Sequence, residues 1–425
     1  MAEAPRREPA VDLVVERLGA QGDGIATWRG ETMFVPFAAP GDQVRARLGV
    51  RRGPGRETRV IELLAAGPHR AAPVCRHFGR CGGCALQHLD DATYREIKLA
   101  ALSGALHKEG IDPAVVAPLH SVPPQRRRAR LGLSRPKDAR AAAVVGFRER
   151  FSHALVDLRE CAVLEPALLQ LVDPLRDVAH TALAPGDTAE AMMTRTDSGV
   201  DLLLEAKRPP GLAALEALAD LGAAHDLARI VWRAKGSDTP VVERRAVRVM
   251  LSGVAVPFPP GGFLQASAAA EAILVAEIAA AIGAVRPALD LYAGLGTFAF
   301  ALAGAGAVHA VEGDAAAAAA FAQAAGGLPG VTAERRDLNR NPLPPEQLGG
   351  YQAAVFDPPR AGAARQAAAL AESPIPMIAA VSCNPATFAR DAARLIAGGY
   401  RLERVVPVDQ FAWTPHLELA ATFRR

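Results

Sequence analysis

The segment P-A-L-D-L-Y-A-G-L-G, residues 287–296, constrains the fold more than any other stretch of this chain. An apolar run of strand length passes straight into two closely spaced glycines, and helix-compatible sequence follows. Glycine lets the backbone turn sharply and approach a ligand, and in open parallel sheets ligands bind outside the carboxyl ends of the strands. Strand-length runs recur at 307–314 (A-V-H-A-V-E-G-D), 353–360 (A-A-V-F-D-P-P-R) and 377–385 (M-I-A-A-V-S-C-N-P). Strands alternating with helices predict an α/β, Rossmann-like doubly wound sheet over 261–425. Helices are expected over 266–283 and through the alanine run at 315–320.

The residues before 261 read differently. Residues 11–64 alternate apolar and polar positions in five short runs broken by Gly, Pro and Asp, which predicts an OB-like β-barrel within a first domain of 1–68. A β-rich middle domain is expected over 69–260. Within it, 91–110 has the periodicity of an amphipathic helix stopped by Gly110, and the helical segment at about 91–118 is free to pack on the domain at 261–425. No run of about 18 uncharged apolar residues suits a bilayer, and the opening M-A-E-A-P-R-R-E-P lacks the apolar core of a signal peptide. A cytoplasmic protein is expected, with no membrane association and no obligate protein partner.

Net charge is only +3, but residues 121–150 carry nine Lys/Arg against Asp138 and Glu149. A basic strip on a near-neutral chain suits a phosphate backbone, although a solvated basic face has the same composition.

The catalytic candidates sit at the predicted strand ends. The turn G-L-G-T-F-A spaces its glycines for NAD or for S-adenosylmethionine. Ala299 stands where a dinucleotide fingerprint has its third glycine, and Glu312 ends the next strand, where a carboxylate can accept from ribose hydroxyls; both favour S-adenosylmethionine. Asp357-Pro358-Pro359-Arg360 is a rigid corner that fixes a carboxylate. Adenine-N6 methyltransferases have a comparable N/D-P-P-Y/F corner, and Arg360 in place of the aromatic residue argues against amino-group methylation. Ser382-Cys383-Asn384-Pro385 puts a thiol at another strand end. C5 of uracil is too weak a nucleophile to attack a sulfonium methyl directly. A thiolate adding at C6 activates it, and a base must afterwards remove the C5 proton. His416-Leu417-Glu418 offers that base: in an extended run His416 and Glu418 share a face, and burial raises a carboxylate's pKa towards neutrality.

The other four cysteines are Cys75, Cys81, Cys84 and Cys161. Three closely spaced thiols with a remote fourth suit a [4Fe–4S] cluster or tetrahedral zinc. Zinc ribbons usually show two C-x2-C pairs and this chain has one, which favours iron–sulfur. The C-x3-C-x2-C spacing of radical S-adenosylmethionine enzymes is absent.

Taken together these residues resemble the RNA uridine-C5 methyltransferase family that carries an iron–sulfur cluster, in its branch acting on 23S ribosomal RNA. The likeness runs through nearly the whole chain. G-A-Q-G-D-G-I-A with M-F-V-P-F-A-A-P-G-D resembles the RNA-binding TRAM domain. C-x5-C-x2-C, R-R-R-A-R-L, E-C-A-V-L, F-L-Q, D-L-Y-A-G-L-G, D-P-P-R-A-G, S-C-N-P-A-T-F-A-R-D and H-L-E follow in order. The resemblance implies a class I methyltransferase domain, Cys383 as nucleophile and Glu418 as the base. It also implies S-adenosylmethionine bound by Gln265, Tyr292, Gly294, Gly296, Thr297, Glu312, Asp337 and Asp357, and [4Fe–4S] held by Cys75, Cys81, Cys84 and Cys161. Arg126, Arg127, Arg128 and Arg130 would touch RNA. Ser267 departs from the F-x-Q-x-N pattern, Ala293 from C-G, and Trp413 from a frequent His.

Three rivals stand beside this reading. A cytosine-C5 enzyme would need a second active-site cysteine, and the other four belong to the metal set. Uridine enzymes specific for transfer RNA generally lack both barrel and cluster. A non-catalytic iron–sulfur RNA-binding protein would have no use for Cys383 and Glu418 beside a cofactor turn.

Overall fold

The computed structural model describes residues 10–138 and 140–425; the opening M-A-E-A-P-R-R-E-P lies outside the described residues. The chain divides into two compact units, one running through Ala101 and adding Glu149–Ser152 and Phe411–His416, the other containing the remainder.

In the first unit, six strands rather than the expected five form one sheet, in the spatial order Ala10–Val14, Gln43–Arg52, Gly55–Ala65, Glu31–Val35, Gly24–Trp28, Arg17–Leu18. The sixth is a two-residue pairing that period-2 patterning cannot resolve. Inward positions such as Leu13, Met33, Val35 and Val44 make a small apolar core. The helix predicted at 91–110 spans Asp91–Lys108. Lys98 on it is almost fully buried and donates to the carbonyls of Phe411 (3.1 Å) and His416 (2.6 Å), which ties the late segment Phe411–His416 into this unit.

The second unit holds two larger sheets. The first has six strands in the order Ser237–Glu243, Arg229–Ala234, Gly199–Ala206, Thr188–Thr196, Arg128–Ser134, Val144–Gly146, with the helices Val172–Ala182 and Leu212–Ala224 on one face.

The other is the predicted doubly wound sheet. Its order is Val331–Arg335, Val308–Glu312, Ala288–Leu291, Ala353–Phe356, Met377–Ser382, Glu418–Arg424, Arg401–Asp409, His120–Ser121. The first five strands are parallel and Glu418–Arg424 runs antiparallel to both neighbours. Alternate residues enter opposite cores, Val355 and Val381 on one face, Ala354, Phe356 and Ala380 on the other, so both faces are covered and the strands read as continuous apolar runs. Leu102, Leu106 and Ile111 pack into the second of these cores. Helices form at Ala268–Ile282 and through the alanine run as Ala315–Ala325, as expected. Ser267, the departure from F-x-Q-x-N, caps the first of these by accepting from Ala270 N–H. Among the described residues no helix is long and apolar enough to cross a membrane.

Candidate active site

The strand Ala288–Leu291 lies between Val308–Glu312 and Ala353–Phe356, so the connections leave it in opposite directions and a crevice opens beyond its carboxyl end. Asp357, Cys383, Glu312 and the glycine turn all stand at that edge of the sheet. Glu418 reaches it because its strand is antiparallel and begins there.

On the cofactor side the turn is left-handed at Tyr292 (φ 60°), Gly294 (φ 56°) and Gly296 (φ 98°). A methyl group added at Gly294 would meet nothing within 4 Å, so bare backbone faces open space there. Glu312 accepts from Gly294 N–H at 2.7 Å and, through its other oxygen, from Asp314 N–H at 2.6 Å. Thr297 begins the following helix. Asp337 packs against Gly313, one residue past Glu312, and accepts from Asn339 N–H; Tyr292 donates its hydroxyl to Asn339 Oδ1. Open backbone beside a fixed carboxylate fits the ribose and amino-acid ends of S-adenosylmethionine, whose site these residues would form. Beneath them Asp290 is fully buried and accepts from Ala299 N–H at 2.8 Å; burial pushes its carboxyl well above the ordinary range.

On the other side, Cys383 sits between Ser382, the last residue of its strand, and Asn384. Asn384 caps the helix Pro385–Ala397 through Oδ1 and donates Nδ2 to the carbonyl of Arg360 at 3.2 Å, so the cysteine loop is latched to the Asp-Pro-Pro-Arg corner. Burial pushes the Cys383 thiol up to about 11, reinforced by the Glu418 and Asp357 carboxylates and opposed by Arg360. Burial also pushes Asp357 up to about 7, against the hydrogen bond from Gln265. Glu418 is raised well above a normal glutamate by burial and by Asp357, against the hydrogen bond from Gln410. Two buried carboxyls that repel each other resist being ionised together, so the pair takes up a proton more readily than two ordinary carboxylates would.

The two carboxyls are joined by amides. Gln265 Nε2 donates to Asp357 Oδ2 at 3.0 Å. Gln410 Nε2 donates to Gln265 Oε1 at 2.9 Å and to Glu418 Oε2 at 2.5 Å. Gln410 was not singled out from the sequence, and nothing local marks it: it becomes visible only when strand pairing brings Val408 opposite Glu418.

The basic strip behaves differently from expectation. Arg127 donates to Gln265 O at 3.0 Å and to Glu271 at 2.6 Å, in a pair only about an eighth exposed. Arg130 and Arg148 both pair with Glu190, and Arg150 pairs with Asp23. Four of the nine basic residues of the strip therefore have carboxylate partners within the fold, and Arg127 is an internal support for the Gln265 segment. Arg127→Met should cost about 3 kcal/mol in urea unfolding, because it strands the Glu271 carboxylate in a poorly solvated site. An unchanged midpoint would show that the pair contributes no net stability.

The metal expectation also meets a difference. Cys75, Cys81 and Cys84 lie on a loop of the first unit and Cys161 belongs to the second. Among the described residues no three of His, Cys, Asp and Glu gather into a group able to hold a metal ion. Cys81 Sγ accepts from Gly83 N–H, and Cys161 packs at the edge of an apolar core.

Known proteins place this geometry in context. The sequence profile of the tRNA (Uracil-5-)-methyltransferase family matches residues 257–425. An uncharacterized RNA methyltransferase of Brucella suis is 42% identical over 97% of each chain. The 23S rRNA (uracil(1939)-C(5))-methyltransferase RlmD of Chromohalobacter salexigens is 36% identical, over 98% of this chain and 90% of its own. The crystal structure of Pyrococcus abyssi tRNA (uracil-54, C5)-methyltransferase, with S-adenosyl-L-homocysteine, superposes with a TM-score of 0.74 at 24% identity, covering 97% of this chain and all of the other. The chain belongs to the RNA uracil-5-methyltransferase family and carries its S-adenosylmethionine-dependent methyltransferase fold.

Proposed function

We propose that this chain methylates C5 of a uridine in 23S ribosomal RNA through a covalent bond between Cys383 and C6 of the ring. The observation that carries the reading is the convergence of one thiol and two mutually repelling carboxyls, Asp357 and Glu418, on the sheet edge that also bears the glycine turn. S-adenosylmethionine, when bound, supplies a methyl group on a sulfonium. The Cys383 thiolate adds to C6, and the C5=C6 electron pair shifts towards O4. Those electrons return through C5 to form its bond to the methyl group as the bond from methyl to sulfonium breaks, that pair staying on the sulfur of the departing thioether. Glu418, as a carboxylate, then removes the C5 proton; those electrons restore C5=C6 and Cys383 leaves as thiolate. Because Cys383 and the carboxyls line an inner edge, the uridine must be unstacked, as in a loop or by flipping.

The choice of 23S ribosomal RNA is supported by the full-length likeness to the Chromohalobacter salexigens enzyme. Incubation with labelled S-adenosylmethionine and undermethylated ribosomal or transfer RNA tests it. Label should appear as 5-methyluridine in the large ribosomal RNA; label confined to transfer RNA, or in another nucleoside, overturns the assignment. The iron–sulfur part of the reading rests on the cysteine spacing and on the family resemblance, and protein purified without oxygen that contains no iron or sulfide would remove it.

A further inference from the structure

We infer that Gln410 is a positioning residue for the proton-removal step: it holds one oxygen of Glu418, so that the proton from C5 must arrive on the other. The inference rests on the proposed role of Glu418 as base. Its basis is a hydrogen-bond circuit in which every orientation is forced.

The circuit starts at a backbone donor. Ala266 N–H, which can only donate, points at Gln410 Oε1 at 3.0 Å. That fixes which end of the carboxamide is oxygen, so the other end must be the NH2 group. The two N–H bonds of that group meet two acceptors, Gln265 Oε1 at 2.9 Å and Glu418 Oε2 at 2.5 Å. Because Gln265 Oε1 accepts, Gln265 Nε2 is left to donate, and it does so to Asp357 Oδ2 at 3.0 Å. One backbone amide thus orients two side-chain amides, which deliver one donor to each carboxyl. Gln265, Gln410 and Glu418 are each no more than 5% exposed, so water offers little substitute.

The consequence for Glu418 is directional. Oε2 is occupied by a short bond from Gln410, whereas Oε1 receives no hydrogen bond among the described residues. A donor to the carboxylate also favours its ionised form against burial and against Asp357. The titratable groups that face Glu418 are Asp357, from the end of Ala353–Phe356, and Cys383, from the end of Met377–Ser382. Gln410 is the neutral donor set against both.

Gln410→Met keeps length and volume but deletes both donors and the acceptor. The expected result is a kcat about 10- to 100-fold lower with KM for RNA and for S-adenosylmethionine little changed. The acidic limb of the kcat profile should move to higher pH, and RNA covalently bound to the protein should accumulate on denaturing gels as proton removal slows. Gln410→Glu is the second variant. It can still accept from Ala266 N–H, but when ionised it turns an acceptor towards Gln265 and Glu418. Its activity should rise as pH falls and the added carboxyl gains a proton, opposite to the wild-type trend. Wild-type kcat and wild-type pH dependence in both variants overturn the inference, as does a loss confined to KM. Glu418→Gln is run in parallel. If it traps no adduct and turns over normally, the base assignment itself fails. If it traps adduct while both Gln410 variants behave as wild type, only the role of Gln410 falls.

Discussion

Cys383→Ala should lower methyl incorporation into undermethylated ribosomal RNA by about 10⁴-fold or more, the scale seen when a covalent nucleophile is removed from a preorganised site. S-adenosylmethionine binding should persist, because the glycine turn and Glu312 lie on other strand ends. The thiol's surroundings add a second expectation. Burial, Glu418 and Asp357 push it up to about 11, so the thiolate is a minority species at neutral pH. Below that value the thiolate fraction grows about tenfold per pH unit, and kcat/KM, which reports on groups of the free enzyme, should climb from neutral pH into the alkaline range. A profile that falls above neutrality would show that another ionisation controls the step. Normal incorporation by Cys383→Ala would end the nucleophile assignment.

The parts of this site that were legible in the sequence are those set by local order. The glycine turn, the Asp-Pro-Pro-Arg corner and Ser382-Cys383-Asn384-Pro385 each follow an apolar run, and strand ends of a parallel sheet lie together by topology. Glu418 was legible as a carboxylate in a terminal apolar strand, but the pairing of His416 with it as a shared strand face was not upheld, since the strand begins at Glu418. What escaped is carried by long-range pairing. The strip at 126–150 reads as surplus positive charge when counted locally; its partners come from Glu271, Glu190 and Asp23, separated from Arg127, Arg130 and Arg150 by 144, 60 and 127 residues. Gln410 escaped for the same reason, its two acceptors being supplied by residues 265 and 418. A charge or an amide acquires its role from whatever the fold sets opposite it, and a local window cannot contain that.

The two glycines of the cofactor turn should separate folding from binding. At Gly296 (φ 98°) an added methyl group would lie 2.5 Å from Phe300 and 2.6 Å from Phe321, whose rings stack with centroids 4.8 Å apart. Gly296→Ala therefore combines left-handed strain of about 1–2 kcal/mol with overpacking of about 1–3 kcal/mol. It should lower the thermal midpoint markedly and lose cofactor binding as a by-product of a displaced turn. At Gly294 (φ 56°) the same methyl group would meet nothing within 4 Å. Gly294→Ala should cost only the backbone strain and leave most of the protein folded. Its effect on S-adenosylmethionine should nonetheless be severe, about 100-fold in affinity or more, because the methyl group projects into space the ligand must share with Gly294 N–H and Glu312, and a misfit of a few kcal/mol is of that size. Calorimetric titration with S-adenosyl-L-homocysteine beside a melting curve reads both quantities. If Gly294→Ala binds as tightly as the wild type, the open space at the turn is not where the cofactor lies. If it unfolds as readily as Gly296→Ala, the turn tolerates no β-carbon on either side, and the emptiness at Gly294 has no bearing on ligand binding.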